Sequence, residues 1–410
     1  MDFLKTIIFI GTNKSGSSRE AIRAAGDLGY FTVLFTSNEK QLRQREEYKD
    51  VHEMVQIETT DIKAMKKKIA ELSDRGLAIK SILSFVDSYV HIASALQDEF
   101  CTNVASTVAV TTMENKAATR ELLKNYPFTP KHSIIQPEEW DTYSTDSMNL
   151  GYPVIVKSPH STGSKDVLLA KNSKQLAKHM NKLHDNSPEN PIILEEYIEG
   201  EQYLVEALIH KGTVKIAGFM KQEVTAGKRF IITGYGVMVD VPEMMKSPVE
   251  QIIKSIVKRF GMENGAMHLE LRRSPKGWKL IEINPRISGG AMNKMLEAAF
   301  GFNLVKETIR LYTGGVPNIT PSRKQHIYTH YVIVSEKGKL EKVTGKARAR
   351  KAPGVVEVYV KPRKGTVLIP PLSMGHRYAY IIATGDTLLQ ARRNAEDAAK
   401  EITFHLSEEK

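Results

Sequence analysis

The sequence predicts an α/β fold at its amino end that gives way to α+β architecture beyond about residue 105. Residues 1–105 alternate apolar strand and helix, the rhythm of a parallel sheet covered by helices. Residues 201–290 run instead as consecutive strands joined by tight turns, which is how an antiparallel sheet reads. Length agrees, since 410 residues exceed one ordinary core and at roughly 100–200 residues per domain divide into two to four.

TIIFIGT (6–12) is an apolar strand, followed by the turn GTNKSGSS (11–18), a helix around REAIRAAGDLG and the strand FTVLFT (31–36). The turn resembles a nucleotide-phosphate loop, but it is not a full GxGxxG and no acidic residue closes the second strand. A tight turn is the reading, with a small-ligand loop as the alternative. KSILSFVDSYVHIASAL (80–96) ends a strand at Ser84–Phe85 and continues as a helix. Ligands of open parallel sheets sit at the carboxyl ends of strands, so Phe85 is either a pocket wall or a core aromatic.

TMENKAATRELLKN (112–125) reads as one helix with Met113, Lys116 and Arg120 on a shared face, stopped by the prolines of YPFTPKH. A strand GYPVIVKS runs into PHSTGSKD (159–166), then come the strand VLLA, a helix from Ser173 to about Leu183 and the strand IILEEYI (192–198). QYLVEALI and TVKIAGFMK flank the turn HKG, and after a glycine-bearing loop a helix SPVEQIIKSIVKRFG (247–261) leads to a hairpin. Beyond 325 a strand-rich tail ends in a predicted helix over 387–406. The expected domains are 1–105, 106–200, 201–320 and 321–410.

The formal net charge is +11, from 58 Lys+Arg against 47 Asp+Glu. Basic residues are scattered, with only short runs at MKKKI and KARARK, which argues against a nucleic-acid partner. The single cysteine, Cys101, excludes a disulfide framework and suits a buried structural thiol in a reducing compartment. No stretch approaches the roughly 20 apolar residues of a membrane span, and the amino end is too short in apolar residues for a signal peptide. A cytoplasmic protein without a membrane partner is expected.

The chemistry concentrates in one hairpin. MHLELRR (267–273) and WKLIEIN (278–284) flank PKG, and with Ser274 opposite Trp278 the register sets Glu270 opposite Glu282. Asn284 lies two residues along on the same face. Opposed like charges are destabilising, and a hard divalent cation with oxygen ligands relieves them; solvent-facing carboxylates paired by lysines are the plain alternative. Lys157 closes the strand PVIV, and the following Gly/Ser segment could cover phosphates with its backbone N–H groups. EEYIEGE (195–201) is a strand end and connector whose backbone row suits an adenine edge, or merely a loop between strands.

Taken in order, these pieces resemble the ATP-grasp superfamily, with the tail GHRYAYIIATGDTLLQARRNAEDA resembling the carboxylate–amine ligases within it, most closely the bacterial L-amino acid ligases that make dipeptides. The resemblance implies a parallel amino-terminal domain, a small lid domain and an antiparallel catalytic sheet. It implies that Lys116 and Lys157, with Ser161, Gly163 and Ser164, hold the phosphates of ATP. The connector Glu195, Glu196, Tyr197 and Ile198 would meet adenine, with Glu195 and Ile198 presenting backbone groups. Glu201 would lie near the ribose, although Gln202 stands where many relatives carry a Glu, leaving that contact open between the two.

Glu270, Glu282 and Asn284 would ligate Mg²⁺ or Mn²⁺, Arg286 would sit by the transferred phosphoryl group, and Gly289 and Gly290 would approach the acyl phosphate. Ser84, Phe85, Arg229 and Arg286 are the substrate candidates, Phe85 limiting size and Arg229 either meeting a substrate carboxylate or standing exposed. Implied partners are L-amino acids, with a homodimer left open. The fold also serves carboxylases and ligases acting on bicarbonate, purine intermediates or D-alanine, and a non-catalytic nucleotide-binding regulator is the reading from another class.

Overall fold

The computed structural model describes residues 4–102, 106–144, 148–159, 166–224 and 231–407. Four parallel strands, β1 (Leu4–Ile10), β2 (Phe31–Thr36), β3 (Glu53–Gln56) and β4 (Leu77–Leu83), form a sheet in the order β3-β2-β1-β4. Helices α1 (Ser17–Asp27), α2 (Glu39–Arg43), α3 (Ile62–Asp74) and α4 (Val90–Phe100) connect or follow them. Strands such as IIFI and VLF are apolar at every position because both faces are covered.

The expected helix over 112–125 is two helices, α5 (Thr107–Glu114) and α6 (Lys116–Leu123). Asn115 breaks them: it is extended (φ −92°, ψ 106°) and its side chain caps α6 by accepting from the Ala118 N–H. Met113 therefore sits on a separate helix from Lys116 and Arg120, and packs in the core that Leu123 of α6 also enters.

Strands β5 (His132–Ile135), β6 (Val154–Lys157), β7 (Val167–Ala170) and β8 (Ile192–Glu196) make a small antiparallel sheet in the order β5-β8-β6-β7. Helix α7 (Ser173–Asn186) covers one face of it through Leu176, Met180 and Leu183.

The largest sheet has eight antiparallel strands. Its members in chain order are β9 (Glu201–His210), β10 (Thr213–Val224), β11 (Ile232–Val237), β12 (Gly265–Ser274), β13 (Gly277–Asn284) and β14 (His326–Val332). The tail then adds β15 (Gly338–Thr344), β16 (Val355–Val360), β17 (Val367–Leu368), β18 (Ala379–Gly385) and β19 (Thr403–Ser407). The order β13-β12-β9-β10-β11-β14-β18-β16 is continuous across residue 321, so the tail extends this sheet, and only β17-β15-β19 stands apart. The predicted final helix is shorter than expected: Leu388–Lys400 is helical, whereas Thr403–Ser407 is β19, paired with β15.

Alternation along β9 decides what each face does. Tyr203, Val205, Ala207 and Ile209 are buried under the amphipathic helix α8 (Glu243–Phe260), which offers Val249, Ile253, Ile256 and Phe260. Gln202, Leu204 and Glu206 face the other way, toward the segment after β13 and the following helix α9 (Met292–Phe300). This second face carries the polar cluster described next. No helix among the described residues is long and apolar enough to cross a membrane.

Candidate active site

The β12–β13 hairpin sets Glu270 opposite Glu282 as expected, but by another route. Its turn is the two-residue Pro275–Lys276, so Ser274 faces Gly277 and Arg273 faces Trp278, one residue out of the expected register. A bulge at Ile281 restores the phase, pairing Glu270 with Glu282 and His268 with Asn284. Arg120 Nη2 donates to the Ile281 carbonyl at 2.6 Å, so the extra residue is tied rather than orphaned.

Burial, then repulsion from Glu282, pushes the Glu270 carboxyl above the usual range. Asn284 Nδ2 lies 3.4 Å and Lys116 Nζ 3.8 Å from Glu282 Oε1. Among the described residues no group of three or more His, Cys, Asp or Glu could hold a metal. The donor set is therefore two carboxylates and an amide. That composition suits Mg²⁺, which takes one or two carboxylates and completes its octahedron with water and phosphate oxygens.

The second charged cluster is fully buried. Arg120, Lys157 and Glu195 are 2, 4 and 4% exposed. Glu195 accepts from Arg120 Nε at 2.6 Å and pairs with Lys157 Nζ at 2.8 Å. Burial opposes ionisation of Glu195, but Arg120 and Lys157 outweigh it and hold the carboxyl down at about 2. Burial brings Lys157 down to about 8, which leaves it protonated at neutral pH. Two cations against one carboxylate leave a net positive charge beside the carboxylate pair.

This arrangement corrects the role given to Glu195. Its backbone lies within the ladder, between His132 of β5 and Ile155 of β6, and its side chain belongs to the ion cluster, so it has no free edge for an adenine. Glu196 accepts from the Lys131 N–H at 2.8 Å, and the Tyr197 ring lies under the Arg272 guanidinium, 5.4 Å from its centroid. Ile198 is buried and its carbonyl takes Arg272 Nη1 at 2.7 Å.

Alternation puts Glu201 and Gln202 on opposite faces of β9. Glu201 pairs with Lys221 and accepts from the Tyr203 hydroxyl, away from the carboxylate face. Gln202 Nε2 donates to Glu270 Oε2 at 3.0 Å, on that face. Of the two, Gln202 is the one on the face of the carboxylate pair.

Arg286 reaches across to the parallel domain, where Nε donates to Asp87 Oδ1 at 2.6 Å. Asp87 starts the short turn after β4, immediately past Ser84 and Phe85. Ser84 Oγ donates to the Ile10 carbonyl at 2.8 Å, and Phe85, 7% exposed, lines a small apolar cavity with Arg286, Val90 and Ala93. The Gly/Ser turn after β1 closes on the other side of Arg286. Ser17 Oγ donates to the Ser288 carbonyl at 2.6 Å, and a Cβ on Gly16 would meet the Gly290 nitrogen at 2.9 Å. Gly289 and Gly290 line the same cleft as Glu270, Glu282, Asn284 and Arg286. Ser161, Gly163, Ser164 and Arg229 lie outside the described residues.

Several cleft residues escaped the sequence reading. His268 Nδ1 lies 2.7 Å from Glu206 Oε1, and the other oxygen of Glu206 accepts from the Ser288 N–H at 3.2 Å. Burial opposes charging of His268, but Glu206 raises its pKa above the ordinary histidine range. The spacing of His268 from Glu270 could have revealed it, since residues two apart share a strand face. Tyr331 and Arg377 come from the tail, and nothing local marks them. Cys101 is a spectator, its thiol pushed up to about 11 by burial.

A family model described as an ATP-grasp domain matches residues 150–294, and one described as L-amino acid ligase C-terminal domain 2 matches residues 330–407. The L-arginine-specific L-amino acid ligase of Bacillus subtilis is 21% identical over 326 residues, 77% of this chain and 78% of that protein. Carnosine synthase 1 of Gallus gallus is 25% identical over 244 residues, 55% of this chain but 25% of that longer protein. Among solved structures, an L-amino acid ligase from Bacillus licheniformis superposes with a TM-score of 0.82 at 16% identity, covering 100% of both chains. A phosphoribosylglycinamide synthetase from Anaerococcus prevotii gives 0.73 at 18% identity, covering 98% of this chain and 100% of the other. These likenesses show a shared fold.

Proposed function

We propose that this chain, whose residues 150–294 match an ATP-grasp domain and 330–407 an L-amino acid ligase C-terminal domain, joins the carboxylate of one amino acid to the amine of another, converting ATP to ADP and phosphate. The observation that carries this reading is the cleft in which the opposed Glu270–Glu282 pair, Asn284 and Arg286 meet, with the buried, net-positive Arg120–Lys157–Glu195 cluster tied to the same hairpin through the Ile281 carbonyl.

A carboxylate is a poor electrophile, because its oxygen is a poor leaving group. Attack of a carboxylate oxygen on the γ-phosphorus of ATP, with departure of ADP, gives an acyl phosphate whose phosphate leaves readily. The incoming amine then forms the C–N bond, loses a proton and expels phosphate. Phosphoryl transfer of this kind is accelerated chiefly by positioning and by fixed charge. Lys116 and Lys157 supply positive charge at the phosphates, and Arg286, held by Asp87, at the transferred group. Glu270, Glu282 and Asn284 would hold Mg²⁺ or Mn²⁺, which when bound adds positive charge to the phosphate oxygens.

Phosphate release measured with ATP, Mg²⁺ and pairs of L-amino acids, with the product identified by mass, tests the reading. Release that requires all components together, with an amide product of the two amino acids, supports it. Release that never responds to amino acids rejects it.

A further inference from the structure

Past Gly290 the cleft opens into a second and much larger cavity of about 950 Å³. Gly290, Tyr331, Met374 and Arg377 line both spaces, so the two communicate beside the site of acyl transfer. The larger one is walled by the turn after β1, which contributes Lys14, and by the segment after β16, which contributes Lys361 and Arg363. With Arg377 this makes four cationic side chains. The wall has one carboxylate, Glu47, and Arg363 already engages it at 3.2 Å.

The remaining cations form no ion pair among the described residues, although Glu270 of the adjoining cleft attracts Arg377. Arg377 is held by neutral groups, its Nε and Nη1 donating to the carbonyls of Met374 and Ile232 at 3.2 and 3.3 Å, with the guanidinium 3.9 Å from the Tyr331 ring centroid. Lys361 Nζ donates to the Gly375 carbonyl at 2.9 Å. Lys14 Nζ donates to the neutral Gln44 Oε1 at 2.7 Å. None of these three forms an ion pair among the described residues. Burial and the nearby Arg377 together lower the Lys361 pKa, the expected result of crowding cations without an anion. The Tyr331 hydroxyl is buried at the junction of the two spaces, with the Ala291 backbone beside it.

We propose that this cavity is the site of the amine acceptor and selects an amine whose far end is anionic, a carboxylate or a phosphate. The proposal rests on the ligase reading for its chemistry. Uncompensated, like-signed side chains around a concave space concentrate ligands of opposite charge, and the volume exceeds what a single small neutral amino acid would fill.

The test compares acceptors that differ in charge but little in size: L-glutamate against L-glutamine, and L-phosphoserine against L-serine. Binding is read by calorimetry on the full chain loaded with a non-hydrolysable ATP analogue and Mg²⁺, and kcat/KM for each acceptor is read in parallel. We expect at least one anionic member to be preferred about tenfold or more at low salt, glutamate if the site takes carboxylate and phosphoserine if it takes phosphate. That preference should shrink to about twofold or less in the double variant Lys14→Gln/Lys361→Gln and survive in Lys276→Gln, a charge loss at the hairpin tip. Equal or weaker binding of both anionic members overturns the proposal, as does a preference that persists in the double variant. The calorimetric arm needs no turnover, so a chain that binds the anionic acceptor but makes no amide leaves this site standing while removing the ligase reading.

Discussion

The small four-stranded sheet and the eight-stranded sheet both carry clustered charged side chains, and they treat them in opposite ways. On the small sheet, Lys157 and Glu195 are buried and matched: with Arg120 they form ion pairs that the fold itself completes. On the large sheet, Glu270 and Glu282 face one another, with Lys116 Nζ 3.8 Å from Glu282 and with His268 and Arg272 acting on Glu270, yet the Glu270 carboxyl stays above its usual range. Ion pairing inside the protein ties the small sheet to the β12–β13 hairpin. Like charges opposed in a cleft instead favour a ligand of opposite sign.

This contrast can be broken in graded ways. The largest expected effect is Glu282→Gln, which removes a charge that only a ligand needs. Turnover should fall by about 10³-fold or more, in line with losing a principal electrostatic group, while the unfolding midpoint stays or rises because the repulsion is relieved. Near-normal phosphate release would end the metal assignment. Arg120→Met should do the reverse, costing about 3–5 kcal/mol of stability in denaturant unfolding because it strands Glu195 and frees the Ile281 carbonyl. A loss below about 1 kcal/mol would show that the triad is not structural.

The acid limb of stability sharpens the same point. Because Glu195 ionises at about 2 in the folded chain and near 4.5 when free, its contribution is present above the higher value. It is lost as pH falls through the lower one, and amounts to about 3 kcal/mol. Unfolding measured between these limits should show this loss in the parent chain and not in Glu195→Gln. The smallest effect concerns the exposed pair Lys221–Glu201. Glu201→Ala should change stability by less than about 1 kcal/mol and leave the KM for ATP within about twofold, whereas Gln202→Ala, beside Glu270, should raise that KM severalfold. Equal effects of the two would return Glu201 to the site.

What the sequence disclosed was what local spacing encodes. The parallel domain was legible because helices and apolar strands each carry their own period, and so was the strand face bearing Glu270, Glu282 and Asn284. The capping Asn115 was visible in the chain but was absorbed into an uninterrupted helical pattern. Other features depend on residues far apart in sequence. Arg286 with Asp87, Arg120 with both Glu195 and Ile281, and Arg377 beside Tyr331 are brought together only by packing of separate sheets. The hidden strand β19 likewise owes its conformation to pairing with β15.

The bulge at Ile281 acts as a phase converter within the hairpin. Strand residues on the tip side of it count in one register, and those on the cleft side in another. Length changes at the Pro275–Lys276 tip can be taken up there, so the tip is free to drift in evolution or to accept an engineered graft. A single deletion between Ile281 and Asn284 has no such buffer: it would rotate the amide or a carboxylate through the sheet, from the cleft into the hydrocarbon under α8.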